Sequence, residues 1–168
     1  MHLRRYHTAD FALLQQWVTS PALLFQFAGT DFAYPLTKEQ LDIYQALYPE
    51  RRLYIASTIE SQPVAFGEII PQDNNIPRLA RLLVGNSAQR GKGLGEVFVD
   101  LLIKECQQLY HCSSIDLFVL DENAQARRCY EKKNFFVVPN DSFRLIADGQ
   151  AHLIHRMRLD IAAGRVNE

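Results

Sequence analysis

Residues 87–96 read SAQRGKGLGE. Three glycines at alternate positions, Gly91, Gly93 and Gly95, follow the apolar run LARLLV (79–84) and precede VFVDLLIKECQQL (97–109). A glycine turn between a strand and a helix suits a phosphate group. Without Cβ atoms, backbone N–H groups approach the anion closely. The helix N-terminus adds unpaired amides and the positive end of its dipole. Arg90 and Lys92 bring positive charge to the same turn. The kind of phosphate ligand it takes decides fold and function together.

Outward from the turn, the chain alternates between strand and helix patterns. Upstream, RLYIASTI (52–59), the turn ESQP (60–63) and VAFGEII (64–70) read as an antiparallel hairpin, and PQDNNIP (71–77) turns into a third strand, RLARLLVG (78–85). Downstream, Leu94, Val97, Phe98, Leu101, Leu102, Cys106 and Leu109 recur at helical spacing as one stripe. SIDLFVL (114–120) reads as a buried strand and NAQARRCYEKK (123–133) as a second helix. FFVVP (135–139), DSFRLIA (141–147) and HLIHRMRLD (152–160) close the pattern as strands, the last pair turning at Asp148-Gly149.

At the other end, HLRRY (2–6) is a short strand and HTADFALLQQWVTS (7–20) a helix. LLFQFAGTDFAYP (23–35) reads as an aromatic loop. TKEQLDIYQALY (37–48) is a helix in which Thr37 and Gln40 form a capping box. The tail AAGRVNE (162–168) is expected to fray. This order predicts an α/β (α+β) domain with a mixed sheet, spanning residues 1–168 as one unit.

Composition narrows the partners. The chain has 168 residues, 22% of them charged, with a formal net charge of −1. No polybasic field exists to hold nucleic acid or anionic lipid. Three cysteines without CxxC spacing and scattered histidines argue against a disulfide framework and a metal cluster, and fit a reducing compartment. Residues 11–30 carry no formal charge, yet Gln15, Gln16, Ser20, Pro21 and Gln26 interrupt the apolar run too often for a membrane span. The expectation is a cytoplasmic protein, monomer or homodimer, with no metal, no nucleic acid and no membrane partner.

Three phosphate motifs compete for the glycine segment. The P-loop pattern G-x-x-x-x-G-K-[ST] fails, because from Gly85 the second glycine falls on Arg90, and Lys92 precedes Gly93 instead of a hydroxyl. The dinucleotide pattern G-x-G-x-x-G fits Gly91 and Gly93 but meets Glu96 at its last position, and a meander precedes it where a βαβ unit is required. The pattern [RQ]-x-x-G-x-[GA] is met in full by Arg90, Gly93 and Gly95. Downstream, N-x-x-A-x-x-x-Y-E-K-x-x-F appears as Asn123, Ala126, Tyr130, Glu131, Lys132 and Phe135. On these two linked motifs the chain resembles the GNAT superfamily of acetyl-CoA-dependent N-acetyltransferases, the likeness running from about residue 64 to 138. One departure is Asn134, where the family has glycine. The site is a helix C′ position, and asparagine is the residue that tolerates its left-handed conformation next best.

The resemblance implies a mostly antiparallel central sheet flanked by helices, and acetyl-CoA as cosubstrate. Its pyrophosphate would lie on Arg90, Gly91, Lys92, Gly93, Leu94 and Gly95. Its pantetheine arm would run beside Leu82, Leu83 and Val84, where the strand splays from SIDLFVL. Asn123, Ala126 and Tyr130 share one helix face, since seven residues make nearly two turns. Ala126 keeps that face low, and Asn123 caps the helix or bonds the cofactor. The family assigns Tyr130 the role of general acid toward the departing thiolate, whose pKa of about 8.5 against about 10 for a phenol makes full transfer somewhat uphill. Cys129 is turned 100° from that face, which argues against a covalent intermediate.

For a base, Glu68 is the candidate. Val64, Phe66, Glu68 and Ile70 share a strand face, so a carboxylate stands in an apolar row where desolvation raises its pKa. The competing reading has it leaning to solvent or pairing with Arg78 or Arg81. His152 and His155 are weaker candidates. The resemblance places the acceptor beside the first two helices, where Phe27, Phe32 and Tyr34 would wall a pocket and Asp31 attract a cationic amine. The same residues suit a lid packed for stability. The reading is an N-acetyltransferase acting on a primary amine by direct attack in a ternary complex, with a small-molecule or peptide acceptor left open among a small amine, an amino acid and a protein N-terminus. The alternative is a non-catalytic acyl-CoA-binding module.

Overall fold

The computed structural model describes residues 1–161, so the expected fraying of 162–168 lies outside the described residues. Eight strands form one sheet: β1 (His2–Arg5), β2 (Arg52–Ser57), β3 (Pro63–Ile70), β4 (Arg78–Val84), β5 (Ser114–Leu120), β6 (Phe136–Val137), β7 (Phe143–Ala147) and β8 (Gln150–Asp160). Their order is β1-β2-β3-β4-β5-β8-β6, with β7 also on β8. Every pairing is antiparallel except β4 with β5. The mixed, mostly antiparallel sheet is the expected one.

Helices α1 (Phe11–Trp17), α2 (Pro21–Ala28) and α3 (Lys38–Leu47) cover one face, and α4 (Leu94–Tyr110) and α5 (Ala124–Lys132) the other. Each side has its own core. Leu14, Trp17, Leu24, Leu41 and Tyr44 pack on Leu53, Ile55, Phe66 and Leu83. Phe98, Val99, Leu102 and Tyr130 pack on Ala65, Ile69, Leu79, Leu117 and Met157. The α4 stripe rotates slightly from the expected one: Val99 is buried and Val97 exposed.

The aromatic stretch at 23–35 is not all loop. Ser20 accepts a hydrogen bond from the Leu23 N–H at 3.1 Å and Pro21 occupies the first turn, so helix α2 starts there and runs to Ala28. Ser-Pro is a sound N-cap and N1 pair, and the density of aromatics obscured it. The capping box at α3 is half formed. Thr37 accepts from the Gln40 N–H at 3.2 Å, but the Gln40 side chain turns outward to bond Ala33 and Pro35 and ties down the preceding loop.

Two irregularities in β4 shape the middle of the molecule. Phe66 faces Leu83 while Glu68 faces Ala80, so β4 carries one extra residue, and Arg81 sits there at φ 52°. A bulge of this kind shifts the alternation of side chains by one. Leu79 packs on the α4 side, yet Leu83, four residues on, packs on the α1–α3 side. Gly67 stands opposite the bulge, and a Cβ there would lie 2.7 Å from Phe98 and 2.9 Å from Leu82. The second irregularity is the parallel seam. Pairing of β4 with β5 stops at Leu79 and Leu117, beyond which the strands diverge as the resemblance implied.

Candidate active site

The divergence of β4 and β5 leaves a cavity on each side of the seam. The larger, about 500 Å³, lies between the end of β4, the glycine turn and helix α5. Gln26 and Phe27 of α2 border both cavities.

The glycine turn supplies the polar wall of the larger cavity. Gly91 and Gly93 have φ of 77° and 84°, conformations that disfavour a side chain, and Gly93 is the left-handed N-cap of α4. After Arg90, whose N–H donates to the Ser87 carbonyl, the next backbone donor with an intramolecular acceptor is Glu96, which donates to Gly93. The amides of Gly91, Lys92, Gly93, Leu94 and Gly95 have no backbone acceptor among the described residues. Five consecutive free donors at the start of a 17-residue helix are an arrangement suited to an anion. Arg90 does something other than add free charge. Its Nε donates to the Val84 carbonyl at 2.9 Å and its guanidinium also reaches the Gly85 carbonyl, clamping the turn to the end of β4. Lys92 is exposed.

Leu82, Leu83 and Val84 form one wall, and Asn123, Ala126 and Tyr130 the opposite one. Asn123 caps α5 by accepting from the Ala126 N–H at 3.2 Å. Tyr130 is 8% exposed, and burial pushes its phenol well above the ordinary range. Among the described residues its hydroxyl makes no hydrogen bond. The end of α5 fixes it. Asn134 takes φ 63°, the Asn134 N–H donates to the Glu131 carbonyl, and the Phe135 N–H donates to the Tyr130 carbonyl. This is the double-bonded helix end that a left-handed residue permits. Cys129 also borders the cavity, but burial raises its thiol, which disfavours a thiolate nucleophile.

Glu68 is brought to neither cavity. It is 0% exposed, and both carboxylate oxygens are engaged. Oε1 accepts from the Tyr44 hydroxyl at 2.7 Å and Oε2 from the Arg81 guanidinium. The Arg81 alternative therefore describes its surroundings. Burial pushes the carboxyl up, with the pull of Arg81 and the Tyr44 hydrogen bond opposing it. Arg81 extends its other nitrogen to Asp31, and Arg51 donates to the Tyr44 hydroxyl. The bulge at Arg81 thus joins β3, α3 and the loop after α2. Sequence periodicity had no means of finding this network, because its members are separated by up to 50 residues.

The smaller cavity, about 180 Å³, opens on the α2 side of the seam. Phe27 and Asp31 border it, together with Phe118, Phe143 and Leu145; Tyr34 borders neither cavity and donates to the Thr19 carbonyl. His152 and His155 also stand away from both, bonded to Glu122 and Asp121. No helix among the described residues is long and apolar enough to cross a membrane.

Residues 14–135 match the model of the acetyltransferase (GNAT) family. Among solved structures, spermidine N-acetyltransferase from Vibrio cholerae, in complex with CoA and spermine, is similar with a TM-score of 0.78 at 13% identity, over 94% of each chain. An aminoglycoside acetyltransferase in complex with coenzyme A has a TM-score of 0.73 at 20% identity, over 95% of this chain and 94% of its own. Ribosomal-protein-alanine N-acetyltransferase from Brucella melitensis has a TM-score of 0.73 at 14% identity, over 96% of this chain and 100% of its own. At these identities the likeness to the solved structures is one of fold.

Proposed function

This chain belongs to the GNAT acetyltransferase family, an acyltransferase drawing on acetyl-CoA, and on that premise we propose that it acetylates a primary amine by direct attack within a ternary complex. The observation that carries the reading is the row of five free amides from Gly91 to Gly95, in which Gly91, Gly93 and Gly95 line a cavity that Tyr130 also borders, while Lys92 and Leu94 do not line it. Acetyl-CoA supplies an activated acetyl carbon and a thiolate leaving group.

The residues present fit such a ligand. The amides of the turn bind the pyrophosphate, held in register by the Arg90 clamp on Val84 and Gly85. Past Leu79, β4 has no β5 partner, so the backbone of Leu82, Leu83 and Val84 is free to bond the pantetheine amides as an added strand would be bonded. Asn123 and Ala126 line the far wall, and the Tyr130 hydroxyl stabilises the leaving sulfur by hydrogen bonding. With its raised pKa the phenol stays protonated through the working pH range, ready to donate.

The acceptor enters from the smaller cavity, past Phe27, and Asp31 steers its amine inward. Glu68 acts as a positioning residue that holds Arg81, and through it Asp31, and the amine yields its proton to water.

Release of free CoA thiol from acetyl-CoA, followed across a panel of amines, tests the proposal. Saturable CoA binding with no turnover for any amine or peptide would favour a non-catalytic acyl-CoA-binding module.

A further inference from the structure

We propose that Arg78 binds a carboxylate of the acceptor, so that the substrate is a free amino acid with an apolar side chain. The inference rests on the acetyltransferase reading above and names the substrate class for that same site.

Arg78 opens β4 on the face that carries Asp116 and Phe118, and it borders the smaller cavity. Its guanidinium carbon lies 4.6 Å from the centre of the Phe118 ring, which holds the group in place at the cavity wall. Among the described residues it forms no ion pair and no side-chain hydrogen bond, and its Nε is buried without a partner. The other arginines on this face are all engaged. Arg81 bonds Glu68 and Asp31. Arg156 bonds Asp116 and Asp141, and Arg158 bonds Asp116. Asp116 is the register neighbour of Arg78, yet its carboxylate is taken up by the two β8 arginines. A buried Nε–H without an acceptor is costly to leave unmatched, and a planar carboxylate is the group that the guanidinium fork fits.

The rest of the cavity agrees in size and polarity. Its volume of about 180 Å³ falls below the usual range of pockets for drug-sized ligands, roughly 300–1,000 Å³. Phe118, Phe143 and Leu145 present apolar surface. Asp31 is the one carboxylate among the described lining residues, against two guanidinium groups. With Glu68 neutralising Arg81 from behind the lining, the charges balance, and Arg78 is the cation left without a carboxylate among the described residues. A zwitterion places its amine on the Asp31 side and its carboxylate on Arg78.

Matched acceptors isolate the carboxylate: phenylalanine, phenylalaninamide and phenethylamine, each with acetyl-CoA. The acid is expected to exceed both others in kcat/KM by about 10- to 100-fold, the worth of a charge-assisted hydrogen bond. Arg78→Gln brings that ratio to about one, Arg78→Lys restores part of it, and acetyl-CoA affinity reports that the variants are folded. A ratio near one in the unmodified protein, an equal loss for all three acceptors in Arg78→Gln, or turnover confined to polyamines or aminoglycosides overturns the proposal. A readout independent of turnover is the Nε–H resonance of Arg78, identified by its loss in Arg78→Gln. Phenylacetate is expected to shift it saturably, and no shift overturns the carboxylate site. If phenylacetate binds but no amine is acetylated, the acetyltransferase reading fails and the anion site stands.

Discussion

The Phe135 N–H donates to the Tyr130 carbonyl at 3.0 Å, and the two rings meet edge to face with centroids 6.2 Å apart. The residue that ends helix α5 therefore also seats the phenol that borders the larger cavity. Backbone and ring act on the same side chain from two directions.

Tyr130→Phe keeps this seating and removes only the hydroxyl. Turnover is expected to fall by about 100-fold, the lower end for a general acid, since proton transfer from so high a pKa is incomplete. The dissociation constant for CoA should stay within about twofold, because the proposed role sets the hydroxyl at the leaving group and not at the pyrophosphate anchor. An unchanged kcat removes Tyr130 from the chemistry.

Asn134 holds the left-handed corner on which that seating depends. Asn134→Ala is expected to cost about 1 kcal/mol in stability, and Asn134→Gly to be neutral or slightly stabilising. Urea unfolding of the two variants measures the difference, and equal midpoints would show that the corner is unstrained.

Gly93→Ala and Gly95→Ala separate conformation from bulk. At Gly93 a Cβ meets nothing within 4 Å, so the penalty is that of φ 84° alone, about 1–2 kcal/mol. At Gly95 the added carbon makes ordinary contacts with Cys129 and Val84 inside a helix, so stability holds or rises. Isothermal titration with CoA should show the weaker binding in the Gly93 variant.

Glu68→Gln tests positioning against base catalysis. Removing one charge of the buried pair is expected to cost about 3 kcal/mol by thermal or urea unfolding. The activity that survives keeps the pH profile of the parent, whereas loss confined to low pH would restore Glu68 as the base.

Asp10 sets an acid limit to stability. Its hydrogen bonds from Arg4 at 2.7 Å, and then from the His7 N–H, hold its carboxyl below the ordinary value of 3.8. A lowered pKa stabilises the fold above the unfolded value and loses that contribution as the pH falls through the folded one. Urea midpoints between about pH 5 and pH 2 should therefore fall more steeply for the parent than for Asp10→Asn. Parallel curves would show that the Arg4 pair contributes nothing.

Much of the fold was legible from pattern because the deciding signals are local. The turn from Gly91 to Gly95, the stripe on α4 and the left-handed Asn134 all depend on neighbours within one or two turns. Helix α2 was hidden by Phe25, Phe27 and Phe32, which look like a loop packed for shape, although Ser20-Pro21 carries an ordinary helix start. The bulge at Arg81 was out of reach for a different reason. It arises from how β3 and β4 pair across Gly67, and strand alternation within β4 alone predicts the opposite face for Leu83. Glu68 drew attention rightly as a buried charge, but the identity of its partners belongs to the register of the sheet. The unmatched guanidinium of Arg78 is likewise a property of what surrounds it in space.

The clamp formed by Arg90 has a consequence for how this site can be lost. The side chain that looks like an anion ligand is committed to the carbonyls of Val84 and Gly85, and the donors left for an anion belong to peptide groups. Replacing a side chain deletes no peptide N–H unless the replacement is proline. On the proposed reading, the grip of the turn is thus spread over five positions, and single substitutions weaken it by bending the backbone, not by removing a contact.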